Sequence, residues 1–82
     1  MKLVFVGGGS FRTLPIVRGI LATPEILADG EIALVDLNRD RAETVACLIR
    51  KTPEFARVRP KLAVHDSLAR GLPGADVVHV QI

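Results

Sequence analysis

Three consecutive glycines and one distant aspartate are the residues in this chain from which chemistry could be built. Gly7, Gly8 and Gly9 follow the apolar run KLVFV at residues 2–6 and lead into SFRTLPIV at residues 10–17. Each glycine costs about 0.5–1 kcal/mol relative to alanine inside a regular element. Three together exceed what a turn needs, and they fit a backbone that a ligand must approach closely. Gly7 and Gly9 occupy the first two positions of G-x-G-x-x-G, and the third falls on Arg12. In such a loop the first glycine turns the chain sharply off a strand and the second leaves room for a pyrophosphate. The helix that follows offers unpaired N–H groups and the positive end of its dipole. Ser10 adds a hydroxyl donor for the same anion, while Arg12 relaxes the close helix-to-strand packing that a third glycine would allow. The competing reading of Gly7–Ser10 is a plain strand-to-helix turn.

Asp36 lies 24 residues after Arg12, near the end of the apolar run IALVDL at residues 32–37. A carboxylate there accepts hydrogen bonds from the adenosine ribose hydroxyls of a dinucleotide and repels a 2′-phosphate, which favours NAD over NADP. Arg39 and Arg41 follow closely, and either could pair with such a phosphate. The competing reading of Asp36 is a helix N-cap or loop acid. Gln81 and Ile82 stand at the carboxyl end of the last strand, the side on which open α/β sheets bind ligands. A backbone or side-chain contact to the cofactor is expected there. Asp36, Asp40 and Glu43 form no catalytic pair, and the last two belong on a wet helix face. Cys47, between Ala46 and Leu48, reads as a core thiol. His65, beside Asp66 and Ser67, could touch the adenine end of a cofactor, and His79 reads as structural.

These residues need elements to hold them. KLVFV is apolar nearly throughout, as in a strand buried on both faces. Leu14, Val17, Ile20 and Leu21 share a helical face, and Pro15 is tolerated because the first turn of a helix has N–H groups without partners. That helix starts between Arg12 and Pro15. ATPEILADGE reads as a loop, and residues 32–37 as a second strand. Asn38 or Asp36 can cap a helix from Arg39 to Lys51 that turns Ala42, Val45, Ala46, Leu48 and Ile49 inward. TPEFARVRP reads as a connection, KLAVH at 61–65 as a third strand, Ser67–Arg70 as a short helix or turn, and DVVHVQI at 76–82 as a fourth strand. Alternating strands and helices imply a parallel sheet. Right-handed crossovers favour strand order 3-2-1-4, the first half of a Rossmann-like doubly wound α/β fold.

The chain has 82 residues, 49% of them hydrophobic, and a net charge of +2. That suits one small domain, which would be marginal alone because a chain this short buries only about 60–65% of its unfolded surface. Five basic residues face one acid between Arg50 and Lys61. They have no aromatic or groove-fitting companion, so a solvated loop is expected rather than a nucleic-acid site. A single cysteine, no membrane-length apolar run and no signal-peptide pattern fit a cytoplasmic chain without a membrane partner. The chain stops inside an apolar strand whose edge would stay open. Natural proteins rarely leave one so, and residues 1–82 are therefore expected to be the N-terminal part of an NAD-binding domain in a longer protein.

Together VFVGGGSFRTLPIVRGIL, IALVDLNRDR and LPGADVVHVQI resemble the N-terminal part of the NAD-dependent glycoside hydrolases of family 4, its 6-phospho-β-glucosidases above all. The shared features are the GGGS turn, the Thr-containing helix start, the acid at the second strand end, and GAD leading into a strand that ends in Gln-Ile. Phe11-Arg12 departs from the family pattern of a small polar residue followed by an aromatic, at the outer wall of the cofactor loop. The resemblance implies a glycosidase outside the two-carboxylate mechanism. NAD takes a hydride from C3 of the sugar, a base removes the acidified C2 proton, and a divalent metal, usually manganese, polarises the ketone. The glycosidic bond leaves by elimination, water adds and the hydride returns. It assigns Gly7, Gly8, Gly9 and Ser10 to the cofactor loop and Asp36 to the ribose; with Phe11, Arg12, Arg39 and Gln81 added from their positions in the sequence, these are the residues expected to bind the cofactor. It puts the metal ligands and catalytic base outside this chain, which alone should be inactive. It also implies a phosphorylated disaccharide or β-glucoside as substrate and a homo-oligomer. Two other classes share these residues: a lactate/malate-type dehydrogenase, and a non-catalytic nucleotide-sensing domain.

Overall fold

A computed structural model describes residues 1–81. Four parallel strands form one sheet in the order β3-β2-β1-β4, where β1 is Lys2–Val6, β2 Glu31–Val35, β3 Lys61–His65 and β4 Val77–Val80. This is the expected doubly wound half-fold. The central strand is β1, with Leu3, Val4 and Phe5 all buried. Side chains alternate across a strand, so Leu3 and Phe5 belong to one core and Val4 to another.

The larger core lies under α1 (Thr13–Leu21) and α3 (Arg39–Arg50). Val17 and Leu21 from α1, with Ala42, Val45, Ala46 and Ile49 from α3, pack onto Leu3, Phe5, Ile32 and Leu34. The opposite face carries Val4, Ala33 and Val35, against which Leu72 and Ala75 pack after the short helix α5 (Leu68–Gly71). Gly71 itself is buried so close to β2 that a Cβ on it would run into the Val35 side chain. The first two crossovers thus cover one face and the third crosses the other, as right-handed connections require.

Two segments read as connections contain short helices, α2 (Pro24–Leu27) and α4 (Pro53–Val58). The prolines that look like breakers stand in the first helical turn, where a missing N–H loses nothing. Thr52 caps α4: its hydroxyl oxygen accepts from Phe55 N–H at 3.2 Å and its proton goes to the Ile49 carbonyl at 2.7 Å. Two residues expected inside are outside. Cys47 is exposed and Leu48 is 37% exposed. Each residue turns a helix by roughly 100°, so the stripe Ala42–Val45–Ala46–Ile49 leaves 47 and 48 on its flank. The second strand ends at Val35 rather than 37. Asp36 N–H still donates to the His65 carbonyl at 3.0 Å, but Leu37 is 94% exposed. The fourth strand keeps its ladder from Val77 to Val80, flanked by Asp76 N–H to Lys2 O and Gln81 N–H to Val6 O, both at 2.9 Å. Ile82 lies outside the described residues.

Helices α1 and α4 are clamped by a bidentate ion pair. Arg18 Nε stands 2.6 Å from Glu54 Oε2, and Arg18 Nη2 stands 3.2 Å from Oε1. The paired guanidinium holds the Glu54 carboxyl below its ordinary range, and Arg18 is raised in turn. A lowered folded-state value stabilises the fold above the usual carboxylate range, and that contribution is lost as pH falls through the lower value. In Arg18→Ala the Glu54 titration should move up toward the ordinary carboxylate range, read by carboxyl-carbon NMR. An unmoved Glu54 titration would show that the pair does not set it.

Candidate functional site

The glycine loop closes over the carboxyl ends of β1 and β2. Gly7 and Gly8 both donate their N–H groups to the Val35 carbonyl, at 2.8 and 3.1 Å. Gly7 has φ +83°, a conformation that L side chains rarely adopt, and a Cβ there would meet the Gln81 carbonyl at 2.6 Å. Gly8 lies flat on β2, where a Cβ would be 2.8 Å from Leu34 Cβ. Gly9 has a reason to be bare besides the expected room for a pyrophosphate. Its missing Cβ would fall 2.6 Å from Asp36 Oδ2 and 3.0 Å from Arg41 Cβ, against the start of α3.

Asp36 sits between these parts. Its Oδ2 accepts from Gly9 N–H at 2.8 Å and its Oδ1 from Asn38 N–H at 2.9 Å. Asn38, not Asp36, is the cap of α3, since its side-chain oxygen accepts from Arg41 N–H at 3.1 Å. A carboxylate offers about four acceptor positions, so each Asp36 oxygen keeps capacity for one further donor.

Two clefts meet at this point, sharing Gly7, Asp36 and Gln81. A polar cleft of about 300 Å³ adds Ser10, Arg12 and Arg41. A more apolar cleft of about 400 Å³ adds Val6, Val35, Leu37, Asp66, Ser67 and Leu68. The loop satisfies many of its own donors: Ser10 N–H reaches Gly7 O, Thr13 N–H reaches Ser10 O, and Arg12 N–H reaches Ser10 Oγ. Among the described residues no acceptor in the chain takes the Phe11 N–H or the Ser10 hydroxyl proton. Gln81 bridges β4 to α1 by donating from Nε2 to Thr13 Oγ1 at 2.7 Å, and its Oε1 is buried without a partner.

The fold therefore brings Gly7, Ser10, Arg12, Asp36 and Gln81 to the two clefts, with Gly8 and Gly9 beneath them. Phe11 is 68% exposed and lines neither cleft. Arg39 also lines neither, and its Nε lies 3.7 Å from Glu43 on its own helix. His65 stays in the ladder while the next three residues, Asp66, Ser67 and Leu68, line the apolar cleft. The sequence reading does not include Leu37, Asp66, Ser67 and Leu68 among the site residues, although all follow strand carboxyl ends, which is a readable signal. Thr13 enters the sequence reading only as the threonine of the helix start that the family resemblance shares. His79 packs its ring on Phe5 with centroids 5.6 Å apart. No helix among the described residues is long and apolar enough to cross a membrane. Among them, no cluster of three or more His, Cys, Asp or Glu side chains could hold a metal ion.

The position of Gly9 yields a test. Gly9→Ala inserts a methyl against Asp36 and the first turn of α3. Overpacking of this kind typically costs about 1–3 kcal/mol. Urea denaturation should show that loss without any ligand present, and an unchanged midpoint would mean that the loop has slack.

Comparison with known proteins gives two findings. The chain can be superposed on the 6-phospho-beta glucosidase from Thermotoga maritima with a TM-score of 0.84 and 23% sequence identity. The match covers 100% of this chain and 20% of that one, so the two share this fold over about a fifth of the relative's length. The sequence profile of the family described as Family 4 glycosyl hydrolase matches residues 2–82. With the glycine loop, the β2 acid and the strand order all inside that match, the chain belongs to the family 4 glycosyl hydrolases.

Proposed function

We propose that these residues bind the dinucleotide of an NAD-dependent glycosidase. The observation that carries this reading is Asp36, which is held by two backbone N–H groups at the junction of a polar and an apolar cleft. The spare acceptor capacity of its two oxygens suits a pair of vicinal ribose hydroxyls. The apolar cleft between Val35, Leu37 and Leu68 suits an adenine ring. Arg12, the Ser10 hydroxyl and the Phe11 N–H suit the phosphates. The buried, unpartnered Gln81 Oε1 leaves an acceptor for a donor on the ligand, and Thr13 fixes the amide that carries it.

In the full-length protein, bound NAD would supply the hydride acceptor for transient oxidation of the sugar. A divalent metal, manganese, belongs to the same reading and would be held by residues outside this chain. The family membership and the 6-phospho-beta-glucosidase identity of the Thermotoga protein support a phosphorylated β-glucoside as substrate. Residues of this chain orient the cofactor and carry no catalytic role.

Two measurements check the reading. Asp36→Ala removes charge-assisted hydrogen bonds and should weaken NAD binding by about 1.5–3 kcal/mol, measured by titration calorimetry. Unchanged affinity would remove Asp36 from the site. Separately, hydrolysis of a nitrophenyl 6-phospho-β-glucoside by the full-length protein should require both NAD and manganese, and residues 1–82 alone should show none. Turnover after complete removal of NAD would overturn the redox role, and turnover by residues 1–82 would overturn the claim that the catalytic groups lie elsewhere.

A further inference from the structure

From the geometry around Gly9 we infer that Arg41, and not Arg39, decides whether a cofactor carrying a 2′-phosphate is tolerated. This rests on the dinucleotide reading above. Both arginines follow Asp36 closely in sequence, and a guanidinium pairs well with phosphate oxygens. The fold separates them. Arg39 pairs along its own helix with Glu43 and lines neither cleft. Arg41 lines the polar cleft with Asp36 and Arg12. Its Cβ and Asp36 Oδ2 flank the same point above Gly9, at 3.0 and 2.6 Å from where a Cβ would be. Among the described residues no carboxylate pairs with Arg41. Leu37, next to Asp36, brings no charge.

The two groups flanking Gly9 therefore oppose each other. Asp36 repels a 2′-phosphate and Arg41 attracts it, with Asp66 of the adjoining cleft on the side of repulsion. On the dinucleotide reading the native chain prefers NAD, which requires the acids to outweigh Arg41. Neutralising Asp36 should leave Arg41 as the dominant charge at that point.

The test uses the full-length protein and calorimetric titration with NAD and NADP. Asp36→Asn keeps an oxygen for Gly9 N–H and removes the charge. It should bind NADP at least tenfold tighter than the native protein does. Adding Arg41→Gln should erase that gain, and adding Arg39→Gln should leave it intact. Should Asp36→Asn fail to fold, Arg41→Gln in the native background should still lower NADP affinity about tenfold more than NAD affinity. No gain in Asp36→Asn, a gain that survives Arg41→Gln, or one lost with Arg39→Gln would each overturn the assignment while leaving NAD binding standing. A native protein that binds neither nucleotide would overturn the dinucleotide reading and this assignment with it.

Discussion

The hydrogen bond from Gly9 N–H to the Asp36 carboxylate is the constraint on which the site depends. It ties the turn after β1 to the end of β2 across 27 residues of chain. The second oxygen of the same carboxylate takes Asn38 N–H, and the Asn38 side chain then caps α3. One acid thus sets the glycine turn, the strand end and the first turn of the next helix. A buried N–H left without a partner is costly. This chain gives Gly7 and Gly8 a shared carbonyl and Gly9 a carboxylate, so the turn is held without help from a ligand.

Charge then divides the ground around Asp36. On the loop side Arg12 and Arg41 make the cleft suited to anions, while on the β3 side Val35, Leu37 and Leu68 make it apolar. A dinucleotide has the same division between its phosphates and its adenine. The division follows from the topology: β1, the glycine loop and β2 adjoin only because β1 is central and β2 and β4 flank it. Gln81 completes the arrangement from the β4 side, lying along Gly7 and reaching Thr13 at the start of α1.

Much of this was legible in the sequence. The four strands, the two long helices, the strand order and the places of Gly7, Asp36 and Gln81 follow from apolar runs, helical spacing and turn residues. These are local signals, and the rule of right-handed crossovers converts them into a topology. Short helices beginning at Pro24 and Pro53 were not legible, because proline breaks a helix in its middle and starts one at its beginning. Cys47 and Leu48 look like core residues from their neighbours alone, whereas the register of the whole α3 stripe puts them on its flank.

The sequence by itself determined that a glycine turn would lead from a buried strand into a helix, with an acid at the end of the next strand. Such features depend on residues adjacent in the chain, and short-range sterics decide them. Only the tertiary structure decided which atoms meet across that turn. Gly9 has no room for a Cβ because α3 returns to press on it. Arg39 and Arg41 are equal candidates in sequence, yet two residues on a helix differ by about 200° in direction. That rotation sends Arg39 toward Glu43 and Arg41 over the glycine loop. Which of the two faces the site depends on where the helix begins and how its apolar face packs on the sheet, and long-range burial sets both.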